Sequence, residues 1–217
     1  MATRGPLVRA SARRGGILIA LGSIQFVVGM ALAQWRYPGY SDVANAVSDL
    51  GDPAQTSGAA IFDGSIVVLG VVAILGLVML RSAFAPRRSS RLGLAALVVA
   101  SLGAIGVGIF PESATELGGR IHALVSLVTF VGAGVGLLAL GVAMVRDTRW
   151  DGFRGYTALS GVVTLAALVA YVGGASGSSV AGLVERVIIA PVLLWGVVAG
   201  LHLARLPVYA PEARATF

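Results

Sequence analysis

Six stretches, near 15–35, 60–80, 91–110, 121–145, 155–173 and 183–204, are built almost wholly of apolar and small residues. A hydrocarbon core about 30 Å thick needs roughly 20 helical residues to cross it, so each stretch is long enough to span. Their apolar residues go all the way round with no polar stripe, as expected of helices bathed in lipid or in other helices. The fold class expected is therefore all-α: a polytopic integral membrane protein with a bundle of six transmembrane helices. It divides into a basic tail over 1–14, a six-span domain over 15–205 and a C-terminal tail over 206–217.

Composition agrees and excludes several chemistries. Of 217 residues 57% are hydrophobic and only 12% charged, and the mean hydropathy is +0.89; a soluble domain carries about 25% charged residues. Cysteine is absent, which removes disulfides, thiolate catalysis and sulfur-ligated metals. The two histidines, His122 and His202, are too few for a site of three imidazoles. All sixteen basic residues are arginine and the net charge is +6, yet the arginines lie between apolar runs and form no polar domain. Nucleic acid is therefore not an expected partner; membrane topology explains the charge.

Arginine placement sets the expected orientation. Arg4, Arg9, Arg13 and Arg14 precede the first span; Arg81, Arg87, Arg88 and Arg91 follow the second; Arg146, Arg149 and Arg154 follow the fourth; Arg205 and Arg214 follow the sixth. That is thirteen on one side against Arg36, Arg120 and Arg186 on the other. The positive-inside rule then puts both termini in the cytoplasm, N-in and C-in, in a cell membrane. Asp42, Asp49, Asp52, Asp63, Glu112, Glu116 and Glu185 gather on the outer side. A competing reading treats Arg13-Arg14, the first apolar run and "ALA" at 31–33 as a cleavable signal peptide. The run is long for that, and Trp35, Tyr37 and Tyr40 suit an aromatic belt anchoring an uncleaved helix. Gly132 and Gly136 form a G-x-x-x-G pair, read as close packing within the bundle rather than as a dimer face.

The first outer loop, "WRYPGYSDVANAVSDLGDP", is predicted to hold a short amphipathic helix over 41–51, started by Ser41 and stopped by Gly51 and Pro53. Val43, Ala46, Val47 and Leu50 fall on its apolar side; Asp42, Asn45, Ser48, Asp49 and Asp52 fall on the other. The even-numbered spans all begin at the same outer face with ionisable groups: Asp63, His122, and the pair Glu185-Arg186. Ionisable groups within spans are costly, and their default reading is functional. Taken singly, each has a plain structural reading as a paired or headgroup-level residue. Taken together, Asn45, Ser48, Asp49, Asp63, His122, Glu185 and Arg186 predict a polar pocket. Ser113-x-x-Glu116 has the spacing of a capping box, Pro191 is expected to distort the sixth span, and His202 is expected to sit at the interface without a partner.

Three functions remain open on these residues. The first is a binding protein whose outer pocket takes a membrane lipid headgroup or a small ligand, for sensing, transport or assembly. The second is a lipid hydrolase, with His122 as general base, Asp63 or Glu185 orienting it and Ser48 as nucleophile. No cofactor is identified, and a divalent metal enters only in a variant of this reading, on His122 with Asp49, Asp63 or Glu185. The third is a scaffold whose polar residues only hold the bundle together. Protein partners are not legible.

"NAVSDLGDP", "IFDGSIVVLG", "GIFPE" and "IHALVSLVTF" together resemble the six-span bacterial and archaeal membrane proteins of domain of unknown function 998, DUF 998, over roughly 15–205. The S-D-L-G element is also similar to a segment of the eukaryotic Frag/DRAM/Sfk membrane proteins. The resemblance implies that Asn45, Ser48, Asp49, Gly51, Asp63, Pro111 and His122 fall on family motif positions; it implies no activity. Ceramidase-like membrane hydrolases are a more distant likeness, and they use several histidines where this chain has one at the outer face.

Overall fold

The computed structural model describes residues 8–112 and 115–208. Six helices occupy the six apolar stretches: α1 Ala10–Trp35, α2 Ala59–Leu80, α3 Arg88–Ile109, α4 Glu116–Met144, α5 Phe153–Val172 and α6 Ala181–Arg205. All six are long and apolar enough to cross a membrane. Among the described residues there is no strand, only an isolated bridge between Val8 and Val208. The chain is thus a multi-pass membrane protein of the all-α class.

Each helix packs on its neighbours in sequence, and α6 returns to α1, so the six close a ring in chain order. Small residues set how close they come. Gly136 of α4 meets Gly93 and Leu97 of α3, and Gly132 meets Ala96 and Ala100, so the G-x-x-x-G pair faces a neighbour within the bundle. Large side chains on the outside face away from the ring: Leu21, Val78 and Val169 are more than half exposed, as lipid-facing residues are.

The end carrying the α2–α3 and α4–α5 turns, here the arginine-rich end, is closed by aromatic packing. Trp150 is 1% exposed and stacks on Phe84 at 5.1 Å and on His202 at 5.3 Å. His202 also bonds the Arg149 carbonyl through Nε2 at 2.7 Å and stacks on Phe153. It is therefore a half-buried packing residue bonded through Nε2, correcting the expectation of an unpartnered interfacial one. Helix α6 continues through Pro191. The proline removes the donor that the Val187 carbonyl would otherwise receive; one residue on, the Ile188 carbonyl receives the Thr164 hydroxyl at 3.2 Å, tying α6 to α5.

At the other end, the loop end, residues 36–58 fold over the mouth of the ring. The loop turns at Tyr37-Pro38-Gly39-Tyr40, where Gly39 has φ 74° and Tyr40 N–H bonds the Tyr37 carbonyl; proline then glycine is the pairing a type II turn requires. The continuous helix expected over 41–51 does not form. Ser41 does accept from the Ala44 N–H, but the turn stops at Asn45, whose side chain bonds back to the Ser41 N–H at 2.9 Å. Only Ser48–Gly51 is helical, as a 3₁₀ turn. Side-chain bonds of this kind compete with the helical ladder. The expected sidedness survives in part: Val47 and Leu50 are buried, whereas Val43 is 47% exposed.

Candidate functional site

What holds the loop in place is the first turn and a half of α6. Glu185 is 5% exposed, and its carboxyl accepts the Val47 N–H at 2.7 Å and the Ser48 N–H. Two backbone donors that a helix over 41–51 would have satisfied internally are satisfied by α6 instead. Arg186 grips the next segment: it pairs with the Asp42 carboxylate at 2.6 Å and donates to the Asp42 carbonyl and the Tyr40 hydroxyl. Leu183 N–H bonds the Val43 carbonyl. Position 182 must be glycine for this contact, because a Cβ there would overlap the Asn45 carbonyl.

Beneath the docked loop lies a chamber of about 90 Å³ inside the ring. His122 of α4, Ser48 of the loop and Glu185 of α6 line it, with Ser126 and Thr129 of α4. Its other walls are apolar, chiefly Phe26, Phe62 and Leu193. A second interior space of about 100 Å³ continues toward Trp195 and shares Leu69, Ala104, Thr129 and Leu193 as walls. The ring is therefore hollow from beneath the loop to about the level of Leu77 and Trp195, and the aromatic packing closes it beyond.

His122 is 7% exposed and lies between the first and second turns of α4. Its Nδ1 is 2.9 Å from the Phe110 carbonyl. A carbonyl only accepts, so Nδ1 must carry the proton, and in the neutral ring Nε2 is left as an acceptor. Among the described residues Nε2 has no hydrogen-bond partner. Neither Asp63 nor Glu185 orients this imidazole; a backbone carbonyl does. Pro111 makes that carbonyl available by keeping Phe110 out of the helical conformation, so that α3 ends at Ile109.

The remaining expected residues fall outside the chamber. Asp63, one turn into α2, packs under Gly51, where an added Cβ would lie 2.7 Å from Asp63 Oδ1. That oxygen is buried and unbonded among the described residues. Asp49 accepts from Asn45 Nδ2 at 3.4 Å, and burial pushes its carboxyl above the ordinary value of 3.8. Tyr40 is likewise raised by burial, against a lowering pull from Arg186. Among the described residues no three His, Asp or Glu side chains are grouped as a metal ion would need. Of the expected capping box, Ser113 lies outside the described residues; α4 is capped by Thr115, whose hydroxyl accepts from the Gly118 N–H. Glu116 pairs with Arg120 at 2.6 Å, with both side chains largely exposed.

Sequence reasoning missed Phe110, Ser126, Thr129 and Gly182. The backbone acceptor on Phe110 leaves no mark in sequence beyond the following proline, and the two hydroxyls are indistinguishable from ordinary polar residues in a span. No curated protein and no solved structure matches the chain. A family model described as a protein of unknown function, DUF998, matches residues 20–202. That match runs from within α1 to the last turn of α6 and takes in the docked loop and every residue lining the chamber, and by it the chain belongs to the DUF998 family.

Proposed function

We propose that the protein is a membrane-embedded binding protein that holds a small ligand in the chamber between His122, Ser48 and Glu185. The observation that carries this reading is a partly open interior space of about 90 Å³ lined by His122, Ser48 and Glu185, an imidazole, a hydroxyl and a carboxyl residue from three separate elements. A water needs roughly 10–15 Å³ of such space, so a compact molecule of a few heavy atoms fits and a whole phospholipid does not. His122 Nε2 offers a lone pair, and Glu185 has acceptor capacity beyond the two N–H groups it serves. The ligand that matches carries hydroxyl or amine donors on a small apolar frame, which Phe26 and Phe62 enclose.

A hydrolase reading uses the same imidazole as general base and Ser48 as nucleophile. The hydrogen bonds favour binding, because Ser48 and His122 share none and His122 is oriented by a carbonyl rather than an acid. In the membrane the chain runs N-in and C-in, with the loop end outside; eleven of the fourteen arginines among the described residues lie at the opposite end, which supports this reading.

Untargeted mass spectrometry of small molecules carried through purification tests the proposal, with wild type beside His122→Ala. A species retained by wild type and lost from the variant is expected; retention unchanged by the variant would overturn the reading.

A further inference from the structure

Away from the chamber, the lipid-facing side of the ring carries a groove of about 660 Å³ between α2 and α3 at the arginine-rich end. Its floor and sides are apolar, including Leu77, Val78, Leu94 and Val99. On α3 it extends from Ser90 to Val99, which at 1.5 Å per residue is roughly 14 Å of helix. Val78 and Val99 stand 58% and 48% exposed, so the groove opens sideways to the membrane rather than into the bundle.

Its mouth is strongly basic; Asp147 feels the charge of Arg87 but pairs with Arg149. Arg81 and Arg91 line it, and Arg87 and Arg88 lie on the same turn. The chain has no acidic residue between Asp63 and Glu112. Of the acids at this end of the bundle, Asp147 is held by Arg149 at 2.6 Å and Asp151 lies 3.8 Å from Arg154. Arg149 itself reaches the turn, donating to the Ala83 carbonyl at 2.8 Å. Arg81, Arg87, Arg88 and Arg91 make no ion pair among the described residues. Orientation alone accounts for arginines at this end, but not for an apolar groove that leads up to two of them.

We propose that this groove is a binding site for an anionic phospholipid, with an acyl chain along α2 and α3 and the phosphodiester between Arg81 and Arg91. An acyl chain gains little by leaving other chains for the groove, since lipid tails are as apolar as its walls. Selectivity must then come from headgroup charge. Each arginine near an anionic headgroup favours it by about fivefold over a zwitterionic one. The site is independent of the chamber and of any ligand there.

The test is native mass spectrometry of protein exchanged into micelles with equal amounts of phosphatidylglycerol and phosphatidylcholine. Wild type is expected to retain phosphatidylglycerol preferentially. The preference should disappear in Arg81→Gln/Arg91→Gln and persist in Arg13→Gln/Arg14→Gln, which removes the same charge elsewhere. Ala95→Phe fills the exposed groove without changing charge and should also abolish retention, so the result does not depend on the arginine variant folding. Equal retention of the two lipids by wild type, unchanged retention in Ala95→Phe, or an equal loss in Arg13→Gln/Arg14→Gln would overturn the proposal.

Discussion

The Glu185 carboxyl accepts the Val47 backbone N–H at 2.7 Å across 138 positions of sequence, and with it the first loop becomes the roof of the bundle. That carboxyl is buried against two donors, whereas the buried Asp63 Oδ1 has no bonded partner among the described residues. The two acids should therefore respond oppositely to neutralisation. Glu185→Ala leaves two N–H groups unsatisfied, and each such group costs about 1–3 kcal/mol of stability; Glu185→Gln, keeping one acceptor, should lose less. Asp63→Asn removes a burden rather than a contact and should be neutral or stabilising. Thermal unfolding in detergent followed by tryptophan fluorescence measures both.

Arg186 should matter more than its ion-pair partner. The Asp42 side chain is 69% exposed, and exposed pairs contribute about 0.2–1 kcal/mol, so Asp42→Ala should cost no more than that. Arg186→Ala also removes bonds to the Asp42 and Gly182 carbonyls and the Tyr40 hydroxyl. Its loss should exceed that of Asp42→Ala in the same unfolding measurement. Equal losses would mean that the carbonyl and hydroxyl bonds of Arg186 add nothing to its salt bridge.

Much of this was legible in sequence, for reasons specific to each element. All six helices lie within a few residues of the expected spans because lipid demands long apolar runs whatever the packing. Counting turns from a common face put Asp63, His122 and Glu185 at one level; His122 and Glu185 line the chamber with Ser48 of the loop, whereas Asp63 packs under Gly51 instead. The loop was misread because helical periodicity in 41–51 is local, while the bonds that decide its shape come from Asn45 and from Glu185 and Arg186 on a distant helix. Ring order was not legible, since helices apolar on every side do not declare which face meets which neighbour.

Two surface acids give the pH dependence opposite signs. Hydrogen bonding from Arg149 holds the Asp147 carboxyl below its ordinary value of 3.8. The unfolded chain then binds more protons, so this contribution is complete above that value and is lost as pH falls through the folded one. Burial raises Asp49 above 3.8, so the folded chain binds more protons and stability falls as pH rises through the window above that value. Asp147→Asn should lower the unfolding midpoint at neutral pH and flatten its acid limb. Asp49→Asn should raise it or leave it unchanged.

Orientation has its own test. Green fluorescent protein fused after Phe217 should fluoresce, and alkaline phosphatase at the same position should be inactive. The reverse pattern would place the chamber at the cytoplasmic face.

The chamber itself is tested most directly by filling it without touching His122. Ser126 lines the chamber one turn beyond His122, so Ser126→Trp should occlude the space while leaving the imidazole bonded to Phe110. Mass spectrometry of co-purified small molecules from wild type, Ser126→Trp and His122→Ala, all shown to be folded, gives the answer. A hydroxyl- or amine-bearing molecule is expected with wild type and absent from both variants. Retention of that molecule by Ser126→Trp would contradict the proposed site, because the ligand would then lie elsewhere.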